Sequence, residues 1–119
     1  MRGRSKYGNI KVELDGILFD SKSESRRFQE LKLLEKAGEI KELTVHPKFV
    51  LQEGFTDVTG KKQIPITYTP DFMYKDKDRN WQEIVEDVKG GKRRGTRTEV
   101  YRMKKKMFLK KFKIPLIET

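Results

Sequence analysis

The chain has 119 residues, a formal net charge of +10 and a sequence pI near 9.8, and 39% of its residues are charged. This length fits one domain with a modest core, for which seven Phe, four Tyr and one Trp supply the bulk, so disorder is not expected. The sequence has no cysteine, which excludes disulfides and thiolate chemistry. It also has no apolar run near the ~20 residues that span a membrane, so we expect a cytoplasmic protein with no membrane partner.

The excess of basic residues indicates a polyanionic partner, and nucleic acid is the one it favours. A ribosomal or otherwise merely basic protein would carry the same charge. Residues 1–9 are basic and contain glycine, which predicts a flexible basic arm. A single domain is then expected over residues 10–119, with a hairpin at 10–20 and a core at 21–118.

Two local signals open the domain. Asp15-Gly16 lies between two short apolar runs, and an Asp-Gly pair in that position favours a two-residue β-hairpin turn. Ser21, with Glu24 three residues later, fits a capping box at the start of a helix, and Gly38 is a natural residue just beyond its end. The predicted apolar stripe of this helix comprises Phe28, Leu31, Leu34 and Ala37, with Leu33 beside it.

Extended segments follow from Ile40. Short apolar runs at 43–45 and 49–51 are separated by His46-Pro47, and the sole histidine beside a proline is expected to be structural. A longer alternating run from 64 to 74 and a second at 84–89 are separated by a polar cluster at 75–80, which predicts a hairpin.

The second strand of this hairpin carries charge in an alternating pattern. Because strand side chains point to opposite faces in turn, Asp87 and Lys89 should share one face and Glu86 should occupy the other. Asp71, on the neighbouring strand, is expected within reach of Asp87. Two converging carboxylates can hold Mg²⁺ through oxygen ligands, and a nearby lysine can orient or activate a water.

Beyond this strand the sequence becomes strongly basic. A glycine-flanked loop and a second helix, capped by Thr96 or Thr98 and ending near Phe112, precede a short last strand at 114–117. The density of charge beside the acidic residues favours contact with nucleic-acid phosphates. The predicted nucleic-acid-binding residues are Lys92, Arg93, Arg94, Arg97 and Lys104.

Pro70-Asp71 followed by Asp87-Val88-Lys89 resembles the PD-(D/E)xK signature of the restriction-endonuclease-like nucleases. The predicted element order, without the first hairpin, is αβββαβ, which is the core of that α/β fold: a mixed sheet flanked by two helices. The small size and early acid look most like the Holliday-junction-resolvase branch. The chain also looks similar to small uncharacterised phage proteins that share the hairpin and the V-E-D-V-K-G strand, which implies a host cytoplasm.

The resemblance implies that Asp71 and Asp87 bind the metal and that Lys89 serves the attacking water. In the resolvase branch an acid on the first core helix joins the site, and this role falls on Glu24, where it competes with helix capping. Asp stands at the second acid position, where Glu is commoner in the family. This departure implies weaker activity or a requirement for Mn²⁺ in place of Mg²⁺.

The resemblance therefore implies a Mg²⁺-dependent endodeoxyribonuclease that hydrolyses phosphodiester bonds, selective for Holliday junctions or branched DNA and acting as a homodimer. Two other classes stay open at this point. One is a catalytically inactive nucleic-acid-binding module on the same fold, and the other is a basic structural or assembly protein.

Overall fold

The computed structural model describes residues 11–89 and 98–119, and these form a mixed α/β structure. A short hairpin and a helix come first, and they are β1 (Val12–Leu14), β2 (Ile17–Phe19) and α1 (Lys22–Lys36). The middle of the chain is extended, and its strands are β3 (Ile40–Val45), β4 (Phe49–Gln52), β5 (Phe55–Thr56), β6 (Lys62–Gln63), β7 (Ile66–Tyr68), β8 (Phe72–Asp76) and β9 (Gln82–Asp87). A single 3₁₀ turn, Lys77–Arg79, links β8 to β9, and the described chain ends with α2 (Glu99–Phe112) and β10 (Leu116–Glu118).

The main sheet is mixed and has the strand order β10-β9-β8-β3. Strand β8 is antiparallel to both β3 and β9, whereas β10 runs parallel to β9. Helix α1 packs on the face that carries Phe72 and Ile84, and α2 packs on the opposite face, against Val85. The predicted α/β class is therefore confirmed.

The local signals at the start of the domain were interpreted correctly. Asp15 and Gly16 have φ angles of 52° and 77°, the left-handed pair that a type I′ hairpin turn requires. Ser21 caps α1, and Gly38 follows its last turn with φ 80°. The N–H groups of Gly38 and Glu39 donate to the carbonyls of Glu35 and Leu34, which completes a Schellman motif.

Two predictions about the core were wrong. The apolar stripe of α1 is buried only in its first half, at Phe28 and Leu31, while Leu33 is 69% exposed and Leu34 37%. The predicted continuous strand from 64 to 74 is divided between β7 and β8. The break falls at Thr69-Pro70-Asp71, where proline has no N–H to donate to a sheet, so β7 pairs with β4 while β8 enters the main sheet.

The break positions the acidic residues. Asp71 lies immediately before β8, and Asp87 is the last residue of the adjacent β9. The residue pair Phe72 and Glu86 is in register across the two strands, so Asp71 and Asp87 lie at the same end of the sheet.

In the part of the chain that the structure describes, no helix is long and apolar enough to cross a membrane.

Candidate metal site

Backbone hydrogen bonds join the two predicted acids at the ends of β8 and β9. Oδ1 of Asp87 accepts from the N–H of Asp71 at 3.3 Å, and Oδ2 of Asp71 accepts from the N–H of Val88 at 2.7 Å. The hydroxyl of Tyr68 donates to Oδ2 of Asp87. Burial and this hydrogen bond raise the pKa of Tyr68, so its phenol remains a donor to the carboxylate. The structure thus brings Asp71 and Asp87 together, as predicted.

Glu24 reaches the same end of the sheet from the first turn of α1. The side chain of Ser21 accepts from the N–H of Glu24 at 3.1 Å, and Oε1 of Glu24 accepts from the N–H of Asp20 at 2.8 Å. The helix cap is therefore present. In a capping box the glutamate side chain would accept from the N–H of Ser21, whereas here it accepts from the N–H of Asp20. The second oxygen, Oε2, lies 2.9 Å from Nε2 of His46. Capping and the site use different oxygens of one carboxylate, so the two roles do not compete.

The sequence predicts a structural role for His46, but the structure places it in this group. It follows β3, and its N–H donates to the carbonyl of Asp71 at 2.9 Å, which places it beside the start of β8. Its imidazole points to the almost fully buried Glu24. A signal was present in the sequence: if the short strand ending at Val45 pairs with the strand that begins at Phe72, the residues next to this pair, His46 and Asp71, are neighbours.

Glu24, His46 and Asp71 form a compact group of metal-ligand types. Each offers one ligand atom, and the three atoms all lie within 4.8 Å of one another. Glu24 is buried, and the other two are half-buried. Asp87 is outside this group of three but adjacent to it through the N–H of Asp71. The structure therefore groups Glu24 and Asp71 with His46, where the resemblance implied Glu24 and Asp71 with Asp87 as metal ligands.

Electrostatics favours a positive charge in this group. Burial first, and then the interaction with Glu24, raise the pKa of Asp71, the N–H of Val88 opposes both effects, and the net pKa is about 8. The negative charge of Asp87 adds to the rise. Closely spaced buried carboxylates cannot all be ionised unless something compensates their charge, so the group retains a proton or takes up a cation.

The donor set fits a divalent cation. Metal–ligand distances of about 2.1 Å place neighbouring ligands of an octahedral ion about 3.0 Å apart. Oε2 of Glu24 and Nε2 of His46 are joined by a hydrogen bond of 2.9 Å, a length that is also compatible with that spacing. Two carboxylates and an imidazole are ligands that Mn²⁺, Zn²⁺ and related ions accept, and the carboxylates alone suit Mg²⁺.

Lys89 lies two residues beyond Asp87, the last residue of β9. Its Nζ lies 3.6 Å from the centre of the Tyr101 ring on α2, a cation–π contact, and its N–H donates to the carbonyl of Thr119 at 2.6 Å. Lys104 lies elsewhere, in a shallow groove lined by Phe55, Ile64 and Thr67. The predicted phosphate-binding residues Lys92, Arg93, Arg94 and Arg97 lie outside the described residues.

Glu86 occupies the opposite face of β9, as strand alternation predicts. It is fully buried, and its carboxylate accepts hydrogen bonds from Arg27, Tyr74 and Thr119. A carboxylate with this many protein donors is structural. The sequence-based choice of Asp87 over Glu86 as the site acid therefore agrees with the geometry.

Comparison with known proteins gives one finding. A family model described as "Protein of unknown function (DUF1064)" matches residues 4–116. This range contains every residue of the acidic group, together with Asp87 and Lys89. Curated proteins and solved structures gave no match.

Proposed function

This chain belongs to the DUF1064 family, and we propose that it is a divalent-metal-dependent endonuclease that hydrolyses DNA phosphodiester bonds. The observation that carries the proposal is the compact group of Glu24, His46 and Asp71, adjacent to Asp87 at the end of the central hairpin. The group has the ligand chemistry of a cation site, and the net charge of +10 suits a polyanionic substrate.

The arrangement of elements also supports this proposal. Helix α1, the antiparallel strands β3, β8 and β9, helix α2 and the parallel strand β10 follow one another in the order of the restriction-endonuclease-like core. Under this proposal, Asp71 before β8 and Asp87 at the end of β9 correspond to the two acids of the PD-(D/E)xK signature. We therefore propose the same fold family and a Mg²⁺ or Mn²⁺ cofactor.

Each residue of the site has a proposed role. Glu24, His46 and Asp71 bind the ion, and Asp87, held by Tyr68, orients the end of β9 and completes the acidic surface. When bound, the ion stabilises the negative charge that develops on the phosphate. Lys89 leaves the Tyr101 ring to orient the attacking water or donate to a phosphate oxygen. The preferred substrate is branched DNA, cleaved by a homodimer that presents two sites.

A cleavage assay tests the proposal. Four-way junction, flap, duplex and single-stranded DNA are incubated with the wild type in Mg²⁺, Mn²⁺ or EDTA, and with Asp71→Asn and Lys89→Ala. We expect cutting that requires metal and that falls about 10²-fold or more in each variant. The matched controls are Asp78→Asn and Lys77→Ala, both exposed in the β8–β9 turn, and they should cut like the wild type. Cutting in EDTA, or unchanged cutting by Asp71→Asn, contradicts the proposal.

A second candidate is a nucleic-acid-binding module without catalysis, and two contacts favour it. Asp87 already accepts hydrogen bonds at both carboxylate oxygens, and the ammonium of Lys89 rests on an aromatic ring. This candidate predicts DNA binding that Asp71→Ala leaves unchanged and no cleavage in either metal. The same panel, read by gel shift as well as by cleavage, separates the two.

A further inference from the structure

The imidazole of His46 has a consequence for the kind of metal ion that the site accepts. We propose that His46 is a metal ligand and makes the site selective for a transition-metal ion, with Mn²⁺ as the representative, over Mg²⁺. This inference deepens the proposed function because it concerns the same site, but it requires only that the site bind metal and not that DNA be cleaved.

The first argument is geometric. Nε2 of His46 lies 2.9 Å from Oε2 of Glu24, and both lie within 4.8 Å of a carboxylate oxygen of Asp71. The three atoms come from separate elements, since Glu24 is on α1, His46 follows β3 and Asp71 precedes β8. Convergence of three ligand atoms, two carboxylate oxygens and one imidazole nitrogen, from three parts of the fold is the arrangement that a single ion needs.

The second argument concerns the backbone of His46. Its φ angle is 53°, in the left-handed region, which histidine adopts more readily than most residues other than glycine. The hydrogen bond from its N–H to the carbonyl of Asp71 fixes this conformation. The ring also packs against Phe19, with 5.9 Å between ring centres. The backbone hydrogen bond and the packing against Phe19 thus fix the direction of the imidazole toward Glu24.

The third argument is the chemistry of the ligands. Mg²⁺ prefers an all-oxygen site and keeps much of its water, whereas imidazole nitrogen is a good ligand for Mn²⁺ and later transition-metal ions. A mixed set of two carboxylates and one imidazole therefore favours the transition-metal ion. Glu24 and Asp71 alone would leave Mg²⁺ the natural occupant.

The sequence offers an unusually clean test, because His46 is the only histidine in the chain. Protein made without a histidine tag is freed of metal, loaded with less than one equivalent of Mn²⁺ and studied by pulsed electron paramagnetic resonance. We expect the modulation of a directly bound ¹⁴N nucleus, which His46→Gln abolishes. Bound Mn²⁺ without nitrogen modulation in the wild type overturns the inference, and this result does not depend on the variant's folding.

Binding calorimetry gives an independent measure. We expect the wild type to bind Mn²⁺ at least about tenfold more tightly than Mg²⁺, since imidazole discriminates between the two ions. His46→Gln, which keeps a polar group beside Glu24, should lose about 10- to 100-fold in Mn²⁺ affinity, as other losses at metal sites do, with little change for Mg²⁺. Glu42→Gln is the control, because Glu42 is exposed, also has positive φ and pairs with Lys75 away from the site. Equal affinities for the two ions contradict the inference.

The two proposals can fail separately. If Mn²⁺ binds through nitrogen and no DNA is cleaved, the result supports His46 as a metal ligand and contradicts the proposed nuclease activity. If His46→Gln leaves cleavage in Mg²⁺ unchanged and the wild type shows no nitrogen modulation, the result supports the nuclease activity and contradicts His46 as a metal ligand.

Discussion

Arg27 on α1 binds the buried carboxylate of Glu86 on β9 at two points, 2.5 Å from Nε to Oε2 and 3.1 Å from Nη2 to Oε1. Tyr74 and Thr119 donate to the same carboxylate at 2.7 and 2.9 Å. These bonds connect the first helix to the strand that ends at Asp87. The Glu86-Asp87 pair thus divides two tasks between the faces of one strand, because Glu86 holds the fold together and Asp87 faces the candidate site.

Loss of Arg27 should therefore destabilise the protein. Arg27→Met leaves the carboxylate of Glu86 buried without its cation, and we expect a loss of about 3 kcal/mol in the free energy of unfolding. The pKa of Arg27 is held above its ordinary value, chiefly by the hydrogen bond to Glu86, which agrees with a strong interaction. Arg26→Met is the matched control, since Arg26 is exposed and contacts only Ser23 at 3.4 Å among the bonds described; it should change stability by less than about 0.5 kcal/mol. Urea denaturation measures the free energy of unfolding of both variants, and equal losses would contradict the structural role of Arg27.

Two buried tyrosines allow the roles of the two faces of β9 to be tested separately. Tyr68 donates to Asp87 and Tyr74 donates to Glu86, so Tyr68→Phe and Tyr74→Phe each remove one hydrogen bond to a buried acid. Each should cost about 1–3 kcal/mol of stability, the range for hydrogen bonds to charged groups. Only Tyr68→Phe should weaken metal binding and lower cleavage, because only Asp87 borders the acidic group. The measurements are urea denaturation and calorimetric titration with Mn²⁺, and an equal effect of both variants on metal affinity would contradict this division.

Much of the fold could be predicted because its signals are local. The Asp15-Gly16 turn, the Ser21 cap and Gly38 each depend on a few neighbouring residues, and all three are present in the structure. The alternation that separates Glu86 from Asp87 is equally local. The exposed second half of α1 could not be predicted, since burial of Leu33 and Leu34 depends on what packs above them and not on helical periodicity.

The site could be predicted only in part, for the same reason. Asp71 and Asp87 were identified from a short motif on adjacent strands, and Glu24 from the resemblance alone. His46 joins them through the pairing of β3 with β8, whose partner residues are 27 or more positions apart in sequence. Its own neighbours, Val45 and Pro47, gave no indication of a site. The break at Pro70 could have been recognised, because proline in a central strand argues against continuous pairing.

The metal-free protein should lose stability as the pH rises. Burial raises the pKa of Asp71 from an ordinary value near 3.8 to about 8. A carboxyl group with a raised pKa in the folded state stabilises the fold fully below about pH 4 and loses that contribution as the pH rises through about 8. The wild type in EDTA should therefore be less stable at pH 9 than at pH 5, by an amount on the order of a few kcal/mol from this group.

Asp71→Asn isolates this effect, because asparagine has a similar shape and no proton to lose. The variant should gain stability relative to the wild type between pH 5 and pH 9 in EDTA, while losing metal binding. Asp78→Asn, at an exposed position, should follow the wild type across the range. Urea denaturation at pH 5, 7 and 9 gives the comparison, and parallel profiles for Asp71→Asn and the wild type would show that Asp71 titrates normally.

The two functions of Glu24 can be measured apart, because they use different atoms. Ser21→Ala removes the side chain that accepts from the N–H of Glu24 and should cost about 1 kcal/mol of stability, the usual price of a lost helix cap. Its metal affinity should stay at the wild-type level. Glu24→Gln keeps an oxygen that can accept from the N–H of Asp20 at the helix start, so the cap survives, but it removes the charge that faces His46 and Asp71.

Glu24→Gln should therefore stay folded, be equally or more stable without metal, and lose about 10- to 100-fold in affinity for Mn²⁺. The gain in metal-free stability is expected because the buried negative charge beside Asp71 is gone, which also lowers the cost of ionising Asp71. Thermal melts in EDTA and in Mn²⁺ give both quantities in one experiment. If Ser21→Ala weakens Mn²⁺ binding as much as Glu24→Gln does, the helix start alone positions the site and the carboxylate of Glu24 is not a ligand.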